Sequence, residues 1–532
     1  MSKKNYIPFS KSIDFSAIDH IVVGSGMGGL TAATWLAKAG EKVVVFEQHY
    51  VPGGFTHSFK RKNNAQWDVG VHYVGNVCEG GSLRKLFDFL TGKKLEWESM
   101  GETYDVVYIG NDKYEFKAGK ENFRKQLKIY FPNETKSIDA YLKLIDRANR
   151  MGNVFFFEKI FKPILSKSLG YFIRKRYHFY SNKTTADVIG KITSNKRLQA
   201  VLCAQCGNYG LTPKHSSFAA HAMVVGHFME GGYYPTGGAS QIANKTIDTL
   251  NENGGSVYIN AKVDEIIIEK NRVQGVKIED TFIPCKSVIS NVGITNTFTK
   301  LLSESARAKC NIDLKNVSPS SAHLCLYLAL TKSDAALNLP KHNVWYFDNE
   351  NIDATFDGIT LKNAPEKFAY ISFPSAKDLL WQEEHPNTAI IQALSVGNYD
   401  WFKQYENSSW MKRDEAYVEI KKDFENSMLE RLYTLFPQIK GNILITEVST
   451  PLSTKHFSAY QHGEIYGLEH TPTRFSLPFL RPETKIKGLR LTGQDVTLVG
   501  VAGAMLSGML CAITILKFRV AALFKEMGQY GS

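Results

Sequence analysis

The chain has 532 residues, enough to bury a large core and to make about three units of ordinary domain size. At 43% hydrophobic and 22% charged it has the balance of a folded protein, which excludes a disordered one. Its net charge of +12 asks for an anionic partner, but no nucleic-acid-binding motif accompanies that charge. Anionic lipid or an acidic cofactor is therefore expected, and nucleic acid is not. Aromatic side chains are abundant, with 32 Phe and 25 Tyr, as suits a wide apolar cavity or a membrane-facing surface. The seven cysteines are odd in number and scattered, which reads as reduced thiols in the cytoplasm or another reducing compartment. The polar stretch from Met1 to Asp19 shows no apolar segment of signal-peptide type.

The first informative element is His20-Ile21-Val22-Val23, a short apolar run that ends at Gly24-Ser25-Gly26-Met27-Gly28-Gly29. Helical composition follows from Leu30 to Lys38, Gly40 closes it, and Lys42 to Phe46 reads as a second strand ending at Glu47. Strand, glycine turn, helix, strand and acid in that order are the pattern of a βαβ dinucleotide-binding unit. Gly24 permits the tight turn, Gly26 lets backbone approach a pyrophosphate, and Gly29 lets helix and strand pack closely. The helix N-terminus offers free N–H groups and partial positive charge to phosphates. Glu47, 18 residues after Gly29, is placed to accept hydrogen bonds from ribose hydroxyls. Gly53-Gly54 follow soon after and let the chain fold back over the cofactor, which favours FAD over NAD. The stretch then runs on to Trp67-Asp68-Val69-Gly70-Val71-His72-Tyr73.

Between Val154 and Tyr180 six Lys/Arg stand against one acid, Glu158, and are interleaved with Phe155-Phe156-Phe157, Ile164-Leu165 and Tyr171-Phe172-Ile173. Segment 154–180 is expected to lie in the headgroup layer of a membrane as a basic-aromatic helix, making the protein peripheral. Cys203 and Cys206 have redox-motif spacing without a second pair, and His215, His221 and His227 recur every six residues, off any one helical face. No metal site is expected from either.

Tyr233-Tyr234-Pro235-Thr236-Gly237-Gly238 precedes a helical stretch from Ser240 to Asn253. A strand at Val257 to Val263, further β-rich runs, and Val288-Ile289-Ser290-Asn291 follow. Near the C-terminus Gly488 to Asp495 reads as strand and turn. The 21 uncharged residues Val496 to Leu516 could span a bilayer, but their closely spaced glycines suit a buried, cofactor-facing helix.

Together these pieces closely resemble the retinol saturase branch of the carotenoid desaturase and isomerase flavoproteins, the all-trans-retinol 13,14-reductases. The residues that carry the resemblance are Gly24 to Gly29, Glu47-Gln48-His49, Gly53-Gly54, Trp67 to Gly75, Tyr233 to Gly238 and Thr492-Gly493-Gln494-Asp495. The likeness is densest in these pieces and thin over 76–230 and 296–481. It implies an α/β fold: a discontinuous Rossmann-like FAD-binding domain (residues 15–75, 232–300 and 482–525) with an inserted α+β domain (76–231 and 301–481) for substrate and membrane. It also implies that the backbone of Val263 meets the adenine and that Asp495 lies near the ribityl and phosphate part. Gly500, Val501, Ala502 and Gly503 would start a helix aimed at the flavin pyrimidine edge. Gly28, Gln48, Asn291 and Gly493 complete the expected cofactor set. Phe55 stands where saturases tend to have cysteine, and Gly500 to Gly503 vary the family's apolar-glycine run.

Saturating a carbon–carbon double bond with reduced flavin requires a hydride and a proton from a placed acid. The candidate acids are His72, Tyr73, Tyr233 and Tyr234, with His72 favoured because imidazole titrates near neutral pH. The expected substrate is a retinoid, carotenoid or similar polyene. A carotenoid isomerase or desaturase, and a carrier without catalysis, are the alternatives; an amine oxidase fits poorly, since a basic chain is ill matched to a cationic substrate. Only one glycine fingerprint occurs, so electrons are expected from an external donor.

Overall fold

His20–Val23 and Val43–Phe46 become adjacent parallel strands, buried at every position, as near-continuous apolar runs must be in a parallel sheet. The computed structural model, which describes residues 4–530, adds four further parallel strands. In spatial order the sheet reads Ile7–Pro8, Ser256–Ile259, Val43–Phe46, His20–Val23, Ser287–Ser290 and Leu489–Leu491. Strands from the start, middle and end of the chain thus share one Rossmann-like sheet. The order in which strands are added reverses between His20–Val23 and Ser287–Ser290, and open α/β sheets bind ligands at the carboxyl ends of strands beside such a switch.

The helix after the first strand begins at Met27, three residues earlier than composition indicates, because the Gly26 carbonyl already accepts Leu30 N–H. This helix packs against both Ser240–Glu252 and Gly500–Leu516. The latter starts only at Gly500, since residues 492–499 form the turn that leads into it. Extended through Gly528, the segment is long and apolar enough to cross a membrane, yet half of its most apolar stretch is buried within the fold.

The remaining chain builds a seven-stranded sheet beside a helical layer. Its strand order is Ile443–Ser449, Ala322–Leu330, Ala389–Gly397, Phe368–Ser372, Asn343–Phe347, Thr103–Ile109 and Asp112–Lys117. Only the pair Asn343–Phe347 with Thr103–Ile109 is parallel, and it joins the two inserted stretches in one sheet. Helices Thr135–Glu158, Leu169–Ser181 and Phe218–Phe228 pack together beside it.

Segment 154–180 is not a single surface helix. It comprises the end of Thr135–Glu158, a short helix Pro163–Lys167 and the helix Leu169–Ser181. Phe155, Phe156 and Tyr177 belong to the core, and Lys159 is buried, donating to the Leu480 carbonyl. Two of the three spaced histidines serve buried hydrogen bonds: His221 sits between the hydroxyls of Tyr141 (2.9 Å) and Tyr209 (3.2 Å), and His227 Nε2 accepts from Gly75 N–H (2.8 Å), while His215 is exposed beside Thr212. All seven cysteines are unpaired.

Candidate cofactor and substrate cavity

The carboxyl ends of the central strands open into one cavity of about 800 Å³, toward the upper end of the roughly 300–1,000 Å³ typical of ligand clefts. At its floor the glycine turn departs from the first strand with Gly24 at φ +95°, a conformation that side chains with a Cβ resist. Asn291, at the end of the middle strand, donates from Nδ2 to the carbonyls of Gly24 (3.2 Å) and Gly26 (3.3 Å). A Cβ on Gly28 would lie 2.6 Å from Asn291 Oδ1 and 2.8 Å from Gly493 Cα. Three distant parts of the chain therefore converge at Gly28 with no room for another atom.

Glu47 ties the turn to the second glycine pair. Its Oε2 accepts from Ser25 N–H (2.9 Å) and Ser25 Oγ (2.6 Å), while Ser25 Oγ accepts from Gly53 N–H (3.0 Å). Asp495 is also engaged, accepting from Ile294 N–H (2.8 Å) and Leu468 N–H (2.9 Å). Behind it buried Arg474 donates to the carbonyls of Leu468, Gln494 (2.6 Å) and Asp495 (3.1 Å). Burial lowers the Arg474 guanidinium to about 10, which leaves it charged at neutral pH.

Two helices meet the cavity with bare N-termini. Met27–Lys38 and Gly500–Leu516 both lack a capping side-chain hydrogen bond and an acid in the first turn. Met27, Gly28, Gly500, Val501 and Ala504 line the cavity from these turns. Their free N–H groups and partial positive charge suit an anionic, phosphate-bearing ligand. The glycine cradle, the Glu47 carboxylate beside it and the two uncapped helices fit a nucleotide-type cofactor.

The cavity continues away from the cradle into an aromatic lobe walled by Trp345, Phe356, Phe368, Tyr370, Leu394 and Val396. Trp345 and Tyr370 have ring centroids 4.3 Å apart. Gly207 forms part of this wall because a Cβ there would meet the Trp345 ring at 2.5 Å.

Residues 22–90 match the NAD(P)-binding Rossmann-like domain family. An all-trans-retinol 13,14-reductase of Danio rerio is 33% identical over 94% of this chain and 86% of its own. The chain belongs to the all-trans-retinol 13,14-reductase family. A chloroplastic prolycopene isomerase of an Oncidium hybrid cultivar, a more distant relative, is 25% identical over 93% of the chain and 83% of its own. Among solved structures, the cyclohexylamine oxidase of Brevibacterium oxydans superposes with a TM-score of 0.60 at 15% identity, covering 96% of this chain and all of that one, which speaks for the fold alone.

Against this 13,14-reductase family background, the cavity wall holds Gly24, Gly26, Gly28, Glu47, Gln48, Gly53, Gly54 and Val263. Asn291, Gly493, Asp495, Gly500 and Val501 are on it as well. Gly29, Ala502 and Gly503 are not: Gly29 packs the helix against the Gly24 carbonyl and Val22, and Gly503 packs against the Leu498 backbone. Phe55, the departure from the family's cysteine, lines the cavity with its ring stacked 6.5 Å from that of Tyr460.

Of the candidate acids only His72 reaches the cavity, edge-on to Tyr370 at 5.2 Å. Burial, aided by Lys377, pushes its imidazole down to about 3, so it is neutral at physiological pH and is no imidazolium donor. Tyr73 stands behind the wall, its hydroxyl donating to Asp105 (3.1 Å) and accepting from cavity-lining Asn208 (2.9 Å). Tyr234 donates to buried Asp68, and Tyr233 pairs with Val74 and Ser99 in a small sheet outside the cavity.

Two buried titratable residues that sequence reading missed lie behind His72. Lys377 donates to the His72 carbonyl (2.9 Å), Asn343 Oδ1 (2.5 Å) and Ser372 Oγ (2.8 Å). Asp105 accepts from Gln205 (2.9 Å) and Asn343 (3.2 Å) as well as from Tyr73. Burial moves both toward neutrality, Lys377 down to about 7 and Asp105 up to about 6. The one sequence signal was Asp105 itself, a carboxylate inside the apolar strand Thr103–Ile109.

Proposed function

We propose that this chain binds FAD in the glycine cradle and uses it to saturate one carbon–carbon double bond of a retinoid, carotenoid or similar conjugated lipid. The observation that carries this reading is the continuity of the cavity: a cradle suited to a dinucleotide runs without a wall into an aromatic lobe suited to a polyene. The names of the relatives, retinol reductases and carotenoid isomerases, support the substrate class.

FAD, when bound, supplies the hydride equivalent. The uncapped turns at Met27 and Gly500 would hold its diphosphate and the electron-rich edge of its ring. Glu47 would take a ribose hydroxyl on its remaining lone pairs, and the backbone at Val263 would face the adenine. Trp345, Phe368, Tyr370 and Leu394 would orient a flat conjugated chain and keep water from it. The line from Asn208 through the Tyr73 hydroxyl to Asp105 holds a proton one hydrogen bond behind the cavity wall. Asp105, raised to about 6 by burial, accepts from that hydroxyl and so fixes the orientation of Tyr73 and, through it, of Asn208 at the cavity wall. Electrons would come from a separate donor, since the chain carries a single glycine fingerprint.

The test is direct. Purified protein is examined for flavin absorbance, reduced without oxygen, given a retinoid or carotenoid, and the product is weighed. A gain of two hydrogens agrees with the proposal. Unchanged mass with altered double-bond geometry makes the chain an isomerase, as the prolycopene isomerase relative suggests, and a loss of hydrogens makes it a desaturase. A protein that takes up no flavin but retains the lipid is a carrier, and the proposal fails.

A further inference from the structure

The helices Pro163–Lys167 and Leu169–Ser181 have two unlike faces. The inner face carries Ser166, Gly170 and Tyr177 into the core against Phe155. It is locked there by fully buried Glu158, whose carboxylate receives Arg174, Arg481 (3.1 Å) and Ser166 (2.6 Å). Arg174 is therefore committed inward. The outer face presents large apolar side chains to solvent: Ile164 is 87% exposed, Phe172 62% and Phe179 58%, with Leu165, Leu169 and Tyr171 beside them. Isolated exposed apolar residues are ordinary, but a contiguous set marks an interaction surface.

Four cations share this outer face: Lys162, Lys167, Lys175 and Arg176 are exposed, and none has an ion-pair or hydrogen-bond partner among the described residues. No carboxylate occurs between Lys159 and Ala186. Neither described cavity draws on these residues, so the face offers apolar tips and unpaired charge rather than a pocket for an anchoring side chain. Such tips can enter the acyl boundary while the cations meet headgroup phosphates, and this needs no groove.

We propose that this face docks the protein on an anionic lipid surface. Ile164, Leu169 and Phe172 enter the interface, and Lys167, Lys175 and Arg176 supply the charge. The proposal does not depend on the reaction, and it differs from a span by Gly500–Gly528 because it requires salt-sensitive, reversible binding.

The full chain is sedimented with vesicles of phosphatidylcholine alone and of phosphatidylcholine mixed with phosphatidylglycerol. Binding is expected on the anionic vesicles and is expected to weaken as salt is raised. Each surface cation changes partitioning about fivefold, so Lys175→Ala with Arg176→Ala should lower binding about 25-fold. Ile164→Ala with Phe172→Ala should lower it as well. Lys422→Ala, an exposed lysine in another helix, is the control for net charge. All the substituted side chains are solvent-exposed, and thermal melting checks that each variant stays folded. The proposal is overturned if wild-type protein ignores the anionic vesicles, if the double cation variant binds as wild type does, or if Lys422→Ala loses as much. It is also overturned if the chain is a dimer on size exclusion that Phe172→Ala converts to monomer, since a second copy would then cover the face.

Discussion

Substituting Gly28→Ala tests the convergence on which the cofactor cleft depends. The added Cβ would sit 2.6 Å from Asn291 Oδ1 and 2.8 Å from both Cα and N of Gly493, where carbon contacts ordinarily settle at about 3.5–4.0 Å. Asn291 has little freedom to swing aside, because its amide is donating to the Gly24 and Gly26 carbonyls. Gly493 opposes the new atom with backbone. Overpacking of this kind costs about 1–3 kcal/mol, while exchanging Gly for Ala inside a helix returns up to about 1 kcal/mol. A net loss of about 1–2 kcal/mol should appear as a lower urea midpoint. The matched control is Gly40→Ala, at φ +82° with nothing within 4 Å of the new Cβ. Left-handed strain there costs about 1–2 kcal/mol, a similar loss, far from the seam. The two variants should thus unfold alike but differ in cofactor content, measured as flavin absorbance per mole of protein and by dialysis against free FAD. Gly28→Ala should hold FAD at least about tenfold more weakly, the equivalent of 1.4 kcal/mol. The reasoning fails if Gly28→Ala keeps both its urea midpoint and its full cofactor complement, or if Gly40→Ala loses cofactor equally.

Other consequences are equally open to measurement. Arg474→Met strips the buried donor from the carbonyls of Leu468, Gln494 and Asp495, and should cost about 3 kcal/mol or more in urea unfolding; an unchanged midpoint would show that this turn needs no cation. Gly207→Val should close the aromatic lobe, since even a Cβ meets Trp345 at 2.5 Å; polyene binding followed by absorbance should fall while flavin content stays the same, and loss of both would mean that lobe and cradle are not separable. Asp105 is raised to about 6 in the folded state against about 3.9 unfolded. Between those values the folded protein holds a proton that the unfolded chain has released, so this residue's contribution to stability falls as pH rises through that window, by at most about 1.4 kcal/mol per pH unit. In Asp105→Asn that contribution disappears, so the stability difference between wild type and variant should decline from pH 4 to 6; a constant difference across urea titrations in that range would refute it.

What could be read from the chain depended on how far the partners of each residue lay in sequence. Gly24 to Gly29 and Glu47 were legible because strand, turn, helix and strand form one local unit, and each glycine answers a backbone demand made within it. The candidate acids illustrate a coarser reading. Of stretch 72–73 only His72 lines the cavity: the chain bends there, and Tyr73 turns to Asp105 instead, a local turn that no spacing announces. In segment 154–180, counting charges could not tell a free cation from a committed one. Arg174 belongs to Glu158, 16 residues earlier, while Lys175 beside it belongs to solvent. Arg474 marks where such reading stops. The turn Thr492 to Asp495 exposes carbonyls that must find donors once buried, and that need can be inferred from sequence. Which of the 64 lysines and arginines meets it cannot, because the answer is fixed by how residues 468–475 fold back over the turn, a matter of tertiary packing to which no local periodicity or spacing responds.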